Sequence, residues 1–158
     1  MTRTLALLST ALFLVSCGGG EKTPAELIVG EWEFDGPVTV GQGAEAVSMS
    51  DSEMEYKADG TSEGEIVMKL MAAPEDSDEY KIEATGTYRI EGNTIYETIT
   101  GASVTPLDSG AQAQQIAAML KTGIMSAGEQ TQEIVSVDKG ALVLRDNATG
   151  VETTYSRD

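Results

Sequence analysis

The chain has 158 residues, a length that suits a single domain, and it carries a net charge of −16, with 26 acidic side chains against 10 lysines and arginines. Such a surface repels phosphate backbones, which excludes nucleic acid as a partner, and repulsion between like copies favours a monomer. The sequence has no histidine, which removes the usual zinc, copper and iron ligands and the Ser–His and Cys–His nucleophile pairs, and its sole cysteine, Cys17, excludes an intramolecular disulfide.

The first predicted segment is an export signal over residues 1–16. Arg3 precedes an almost wholly apolar run at residues 5–15, which ends in small residues. As a helix this run is about 16 Å long, short of the ~20 residues that a bilayer crossing takes. A positive start, a short apolar run and small residues at its end are typical of a cleaved secretory signal. The alternative is a buried N-terminal helix of the domain.

The end of this segment, Leu14-Val15-Ser16-Cys17, resembles the lipobox of bacterial lipoproteins. The resemblance implies that the chain is cut before Cys17, that the Cys17 thiol carries a diacylglycerol, and that the new amine is acylated, for example with palmitate. Two anchoring chains attach a protein stably, whereas one holds it only marginally. Cys17 is therefore predicted to be the lipid attachment site. The alternative is an inert buried thiol.

Residues 17–26 follow as the lipidated cysteine and a flexible, glycine-rich tether. The position after Cys17 is Gly18, and not the aspartate that is associated with inner-membrane retention in lipoproteins of Gram-negative cells. The resemblance therefore implies a protein of the bacterial cell envelope, anchored to the outer membrane on its periplasmic or surface face if the cell is Gram-negative.

Residues 27–158 are predicted to form one all-β domain. The clearest strand lies at residues 80–91, where apolar or small residues alternate with polar ones without exception. Turn signals such as Asp59-Gly60 and Gly92-Asn93 separate further alternating segments. The predicted strands fall at residues 29–35, 53–59, 66–70, 80–91, 94–104, 133–137, 141–145 and 151–157. About eight short strands with tight turns indicate an antiparallel sheet closed, or nearly closed, into a barrel.

One segment, residues 108–123, predicts a short helix inserted among the strands. Asp108 and Ser109 are suitable N-caps, and Gly123 is placed to end the helix. The apolar positions that follow Ser109 have helical spacing: Ala113, Ile116, Ala117, Leu120 and Ile124. Such a helix is either a lid over a barrel mouth or a connector that lies on the sheet and buries its alanine-rich stripe. The small side chains favour the connector.

The two ends of this domain resemble lipocalins and the lipocalin-like domains of secreted bacterial proteins. Gly30-Glu31-Trp32 forms a G-x-W motif at the first strand, and Arg157 ends the last strand, where an arginine often packs over the motif tryptophan. The resemblance implies an antiparallel lipocalin-like barrel in which Gly30, Trp32 and Arg157 form a structural motif. A cation–π contact of this kind contributes about 0.5–2 kcal/mol.

No catalytic, cofactor or metal site is predicted. Carboxylate pairs two residues apart recur on strands, as at Glu53 and Glu55, and are expected to lie on solvated faces. The acidic segment 74–79 lacks the D-x-D-x-D-G arrangement of a rigid calcium loop. The sequence also lacks a G-x-S-x-G elbow and a glycine-rich phosphate loop. The prediction is a non-enzymatic protein.

Two functions then fit the pattern. In the first, the barrel binds a small apolar or amphipathic ligand, with Met54 and Met68 in the lining and with space left by small inward residues at Ala58, Ala84 and Gly86. In the second, the core is filled and the protein acts on an envelope partner through its acidic outer surface. The ligand binder is the preferred prediction.

Overall fold

The computed structural model describes residues 22–34, 36–41, 46–75 and 78–157. Residues 1–21, with the predicted export signal and Cys17, lie outside these ranges, as do Asp76 and Ser77 of the acidic segment. The strands in the described part of the chain are β1 (Gly30–Phe34), β2 (Val38–Val40), β3 (Val47–Tyr56), β4 (Thr61–Leu70), β5 (Glu79–Glu91), β6 (Thr94–Pro106), β7 (Glu129–Val137), β8 (Ala141–Asp146) and β9 (Glu152–Ser156). The helices there are α1 (Pro24–Leu27) and α2 (Ala113–Ser126).

The strands form one antiparallel sheet that closes on itself. From β3 to β9, each strand pairs with the next one along the chain. The first strand, β1, lies between β9 and β3, with Phe34 opposite Tyr155 and Trp32 opposite Met54. Eight strands thus complete a barrel, while β2 pairs with the far part of β3 as an extra strand. The predicted fold, an all-β antiparallel lipocalin-like barrel with one inserted helix, is confirmed.

Three strands carry a one-residue bulge that reverses the alternation of their side chains. Asp51 in β3 has no partner in β4 and adopts a positive φ of 44°. Thr100 in β6 and Val135 in β7 are likewise skipped in the pairing with their neighbours. A bulge bends its strand and increases the local twist, which helps a sheet to curve into a barrel.

The inserted helix differs from its prediction at both ends. It begins at Ala113 and continues through Gly123 to Ser126, instead of covering residues 108–123. Asp108 does not cap it, because its carboxylate accepts hydrogen bonds from the backbone amides of Asp78 (3.2 Å) and Glu79 (2.9 Å). The helix packs against β6 and buries Ala113 and Ala117. It is therefore a connector on the sheet, the alternative that its small side chains favour.

The main core lies at the end of the barrel where β1 begins and β3 ends. Its buried residues come from the segment before β1 and from β1, β3, β6, β7 and β8: Ile28, Trp32, Tyr56, Ile95, Ile134, Leu142 and Leu144. Partly buried residues pack against this cluster, among them Met54 and Tyr155. One end of the barrel is consequently filled, and any internal space has to lie toward the other end.

Candidate functional site

The filled end of the barrel is held by contacts between its two chain ends. Trp32 is fully buried, and its indole Nε1 donates a hydrogen bond to the carbonyl of Ile28 at 2.7 Å. The guanidinium of Arg157 lies over the indole, with Cζ 3.5 Å from the ring centroid. Its Nη1 donates to the carbonyl of Val29 at 3.0 Å, and its Nη2 donates to the carbonyl of Leu27. Arg157 thus joins the end of β9 to the segment that leads into β1.

Beyond this core the barrel contains a cavity of about 360 Å³. Ligand sites in proteins have volumes of about 300–1,000 Å³, so this cavity can hold a small organic molecule. Its lining combines apolar and polar side chains from the strands and from the turn between β8 and β9: Phe34, Val40, Met49, Ser52, Met54, Ile66, Glu97, Gln130, Gln132, Leu144, Asp146, Thr149, Val151, Thr153 and Tyr155. Polar groups in an otherwise apolar lining are what fixes the orientation of a bound ligand.

Glu97 is the carboxylate at the inner side of this cavity. Strand register places it opposite Tyr88 of β5 and opposite Gln130 of β7. Its Oε1 accepts a hydrogen bond from the hydroxyl of Ser62, a residue that is itself buried. A Cβ added at Gly86 would stand 3.5 Å from the same Oε1 and 2.9 Å from Ser62 Oγ, so the glycine leaves room for this pair.

No basic side chain within the described ranges forms an ion pair with Glu97. Burial raises the pKa of Glu97, against a smaller lowering by the Ser62 hydrogen bond. Burial together with the Glu97 charge raises the pKa of Tyr155 to about 12, and the same two causes raise the pKa of the fully buried Tyr56. The Tyr56 hydroxyl has no hydrogen-bond partner among the described residues. Glu97 therefore stands in the cavity lining without a positively charged partner among the described residues.

The raised pKa of Glu97 predicts a pH-dependent effect on stability. The folded protein holds the Glu97 proton more tightly than the unfolded chain does. The contribution of Glu97 to the free energy of unfolding is therefore fully present below pH 4.5, where the carboxyl group is protonated, and is lost as the pH rises through the folded-state pKa. Glu97→Gln removes the titration, so the melting temperature of the variant minus that of the wild type should increase from pH 4 to pH 7. The tyrosines near Glu97 (Tyr56, Tyr88 and Tyr155) stay neutral across this interval, because the pKa of each is raised above its ordinary value of 10. A difference that is constant or falls with pH would contradict the assignment.

The predicted lining is only partly correct. Met54 lines the cavity, whereas Met68 does not. Ala58 is exposed in the turn between β3 and β4, because the strand ends at Tyr56. Ala84 and Gly86 point inward on β5 but lie outside the cavity lining. The space comes instead from the part of the barrel where polar and medium-sized residues replace the large side chains of the core.

The sequence prediction missed Glu97 and Gln130. A signal for Glu97 was present, because in the run from Ile95 to Ile99 it shares its face with the two isoleucines, while Tyr96 and Thr98 share the other. A carboxylate between two apolar residues on one face indicates an inward position. Gln130 offered no such signal, because it stands at the start of β7, in a segment that the pattern left out of the strand.

The outer face of β1, β3, β4 and β5 carries a dense array of glutamates. Register places these side chains opposite one another across four strands, in two rows: Glu33, Glu53, Glu65 and Glu83 in one, and Glu31, Glu55 and Glu63 in the other. A shallow trough of about 620 Å³ runs between the rows. Lys57 bridges Glu55 and Glu63, at 3.4 and 2.6 Å. Lys81 bridges Glu65 and Glu83, at 2.7 and 3.6 Å.

In the part of the chain that the structure describes, no cluster of three or more acidic, cysteine or histidine residues is arranged to hold a metal ion. No helix there is long and apolar enough to span a bilayer.

Comparison with known proteins finds similarity to solved structures. No family model and no curated protein matches the sequence. Among solved structures, the chain is similar to a crystal structure described as a DUF4847 family protein from Bacteroides vulgatus ATCC 8482, with 12% sequence identity and a TM-score of 0.38. The match covers 84% of this chain and 94% of the other.

Proposed function

We propose that the protein is a non-catalytic, lipid-anchored protein of the bacterial envelope that binds a small amphipathic molecule inside its barrel. The observation that carries the binding function is the cavity of about 360 Å³, in which Phe34, Met54 and Leu144 stand beside Glu97 and Gln130. Apolar walls with a few convergent polar groups are typical of ligand sites. The filled core at the other end of the barrel supports the same function, since it provides a rigid base for the site.

Blocking the cavity tests this function. Thr153 points into the cavity from β9, whereas the next residue, Thr154, is exposed on the outer face. Native mass spectrometry of the full chain, purified gently from a cell extract, should show a bound small molecule that dissociates on activation. Thr153→Trp should lose this mass by filling the cavity, and Thr154→Trp should retain it. A bound mass that survives Thr153→Trp, or is absent from the wild type, would count against ligand binding in the barrel.

Membrane attachment through Cys17 is tested separately. We expect intact-mass measurement of the protein from its native membrane to give a chain that starts at Cys17 and carries added acyl mass. Cys17→Ser should abolish both the cleavage and the acyl mass, because serine has no thiol to join to the diacylglycerol. Lipid-free wild-type protein would refute the anchor and leave ligand binding unaffected.

A second function, binding of an envelope partner through the outer surface, has one observation in its favour. The glutamate rows place like charges directly opposite one another, an arrangement that destabilises a sheet by several tenths of a kcal/mol per pair. A partner with a basic surface would relieve this repulsion. A co-purifying protein whose binding weakens steeply with salt and with Glu53→Lys, but not with Thr153→Trp, would favour this function over the first.

A further inference from the structure

We propose that the ligand of the barrel is a small organic cation, an amine with an apolar body, whose ammonium group pairs with Glu97. This inference rests on the proposed binding function and specifies the chemical class of the ligand.

The first argument is the unused bonding capacity of Glu97. A carboxylate can accept about four hydrogen bonds, and one donor, the Ser62 hydroxyl, is present among the described residues. A charge out of full contact with water is normally paired, because desolvation without a partner is costly. Glu97 lines the cavity, so an ammonium group in the cavity can supply the missing positive charge.

The second argument is the set of neighbouring acceptors. An ammonium group has three donors, and one carboxylate satisfies only part of them. Gln130 lies opposite Glu97 and also lines the cavity, and its amide oxygen is a suitable second acceptor. Glu97 and Gln130 thus offer acceptors on the cavity wall, and lysine and arginine are missing from the described lining of the cavity.

The third argument concerns the rest of the ligand. Phe34, Met54 and Leu144 supply apolar contacts in the same cavity, and the aromatic rings of Phe34 and Tyr155, with centroids 5.9 Å apart, also favour a nearby cation. The net charge of −16 draws cations toward the protein and repels anions. An anionic amphiphile such as a fatty acid would face Glu97 directly and is disfavoured.

The experiment compares three probes with the same six-carbon chain: hexylammonium, 1-hexanol and hexanoate. The full chain is held in lipid nanodiscs, so that it stays soluble whether or not Cys17 is acylated, and its methionine methyl groups are followed by NMR. Met49 and Met54 line the cavity, whereas Met71 and Met119 are 55% and 67% exposed and serve as internal controls. Hexylammonium should shift the signals of Met49 and Met54 alone, with an affinity about tenfold or more above that of the other two probes, since charged hydrogen bonds contribute about 1.5–3 kcal/mol.

Two variants complete the test. Glu97→Gln should lower the affinity for hexylammonium by about tenfold or more and leave that for 1-hexanol within about twofold. Glu31→Gln removes the same charge from the exposed outer face and should change neither affinity. A far-ultraviolet circular dichroism spectrum and a melting curve like those of the wild type show that each variant is folded.

The outcomes separate the two proposals. If 1-hexanol or hexanoate shifts Met54 with an affinity equal to that of hexylammonium, or if Glu97→Gln and Glu31→Gln act alike, the cation inference is wrong and ligand binding in the barrel stands. If none of the probes shifts Met49 or Met54, both proposals fail.

Discussion

Trp32→Ala is expected to destabilise the protein by about 3–5 kcal/mol, the range for removing a buried aromatic side chain. Trp32 is fully buried within the main core, so the change opens a large cavity there. It also removes the hydrogen bond to the Ile28 carbonyl and the ring under the Arg157 guanidinium. Urea denaturation followed by far-ultraviolet circular dichroism measures the effect, because Trp32 is the sole tryptophan and its fluorescence disappears with the substitution.

Phe34→Ala is the matched control for this prediction. Phe34 lies two residues further along β1 on the same face, but it lines the cavity and is only partly buried. Its removal enlarges a space that already exists and should destabilise the protein clearly less than Trp32→Ala does. Equal losses for the two variants would show that the core is not concentrated at the Trp32 end.

Gly30→Ala should destabilise the protein by about 2–4 kcal/mol, for two reasons that act together. Gly30 has a φ of +130°, a conformation that side-chain-bearing residues rarely adopt. A Cβ there would also stand 2.8 Å from Nη1 of Arg157, which donates to the Val29 carbonyl. The added methyl group therefore strains β1 and displaces the guanidinium that ties β9 to it. Thermal melting reports the loss of stability.

Gly123→Ala is expected to change the stability in the opposite direction, and it serves as the control for replacing a glycine by alanine. Gly123 lies within α2, and a Cβ there meets no atom within 4 Å. Alanine is the better helix former by about 0.8–1 kcal/mol, so this variant should be more stable than the wild type. If both glycine variants lose stability alike, the contact with Arg157 is not the cause of the effect at Gly30.

The predictions for Trp32 and Gly30 both concern the packed end of the barrel, which differs from the end that contains the cavity. The end that contains Gly30, Trp32 and Arg157 is packed and closed by hydrogen bonds between the chain ends. The end that contains Glu97 keeps a cavity. Binding at Glu97 should consequently tolerate conservative changes at the closed end, as long as the protein remains folded.

The sequence alone was sufficient for the fold class. Alternation along residues 79–91 is uninterrupted, and glycine at turns such as Gly60, with a φ of 85°, requires no tertiary information. Period-two burial is a property of each strand by itself, which is why the strands could be predicted as strands. The helical spacing of Ala113 and Ala117 indicated α2 for the same reason, although its ends were misplaced, because Asp108 has a tertiary partner in the Asp78–Glu79 backbone.

The tertiary structure decided where the cavity lies and which residues face it. The bulge at Asp51 changes which side chains of β3 point inward. The alternation of apolar and polar residues within a strand does not predict such a one-residue shift in pairing. The opposition of Glu97 and Gln130 depends on the register between β6 and β7, strands separated along the chain by α2. Local sequence therefore determines the strands, whereas the pairing of distant strands determines the cavity, since a cavity is the space left once side chains from all of them have packed.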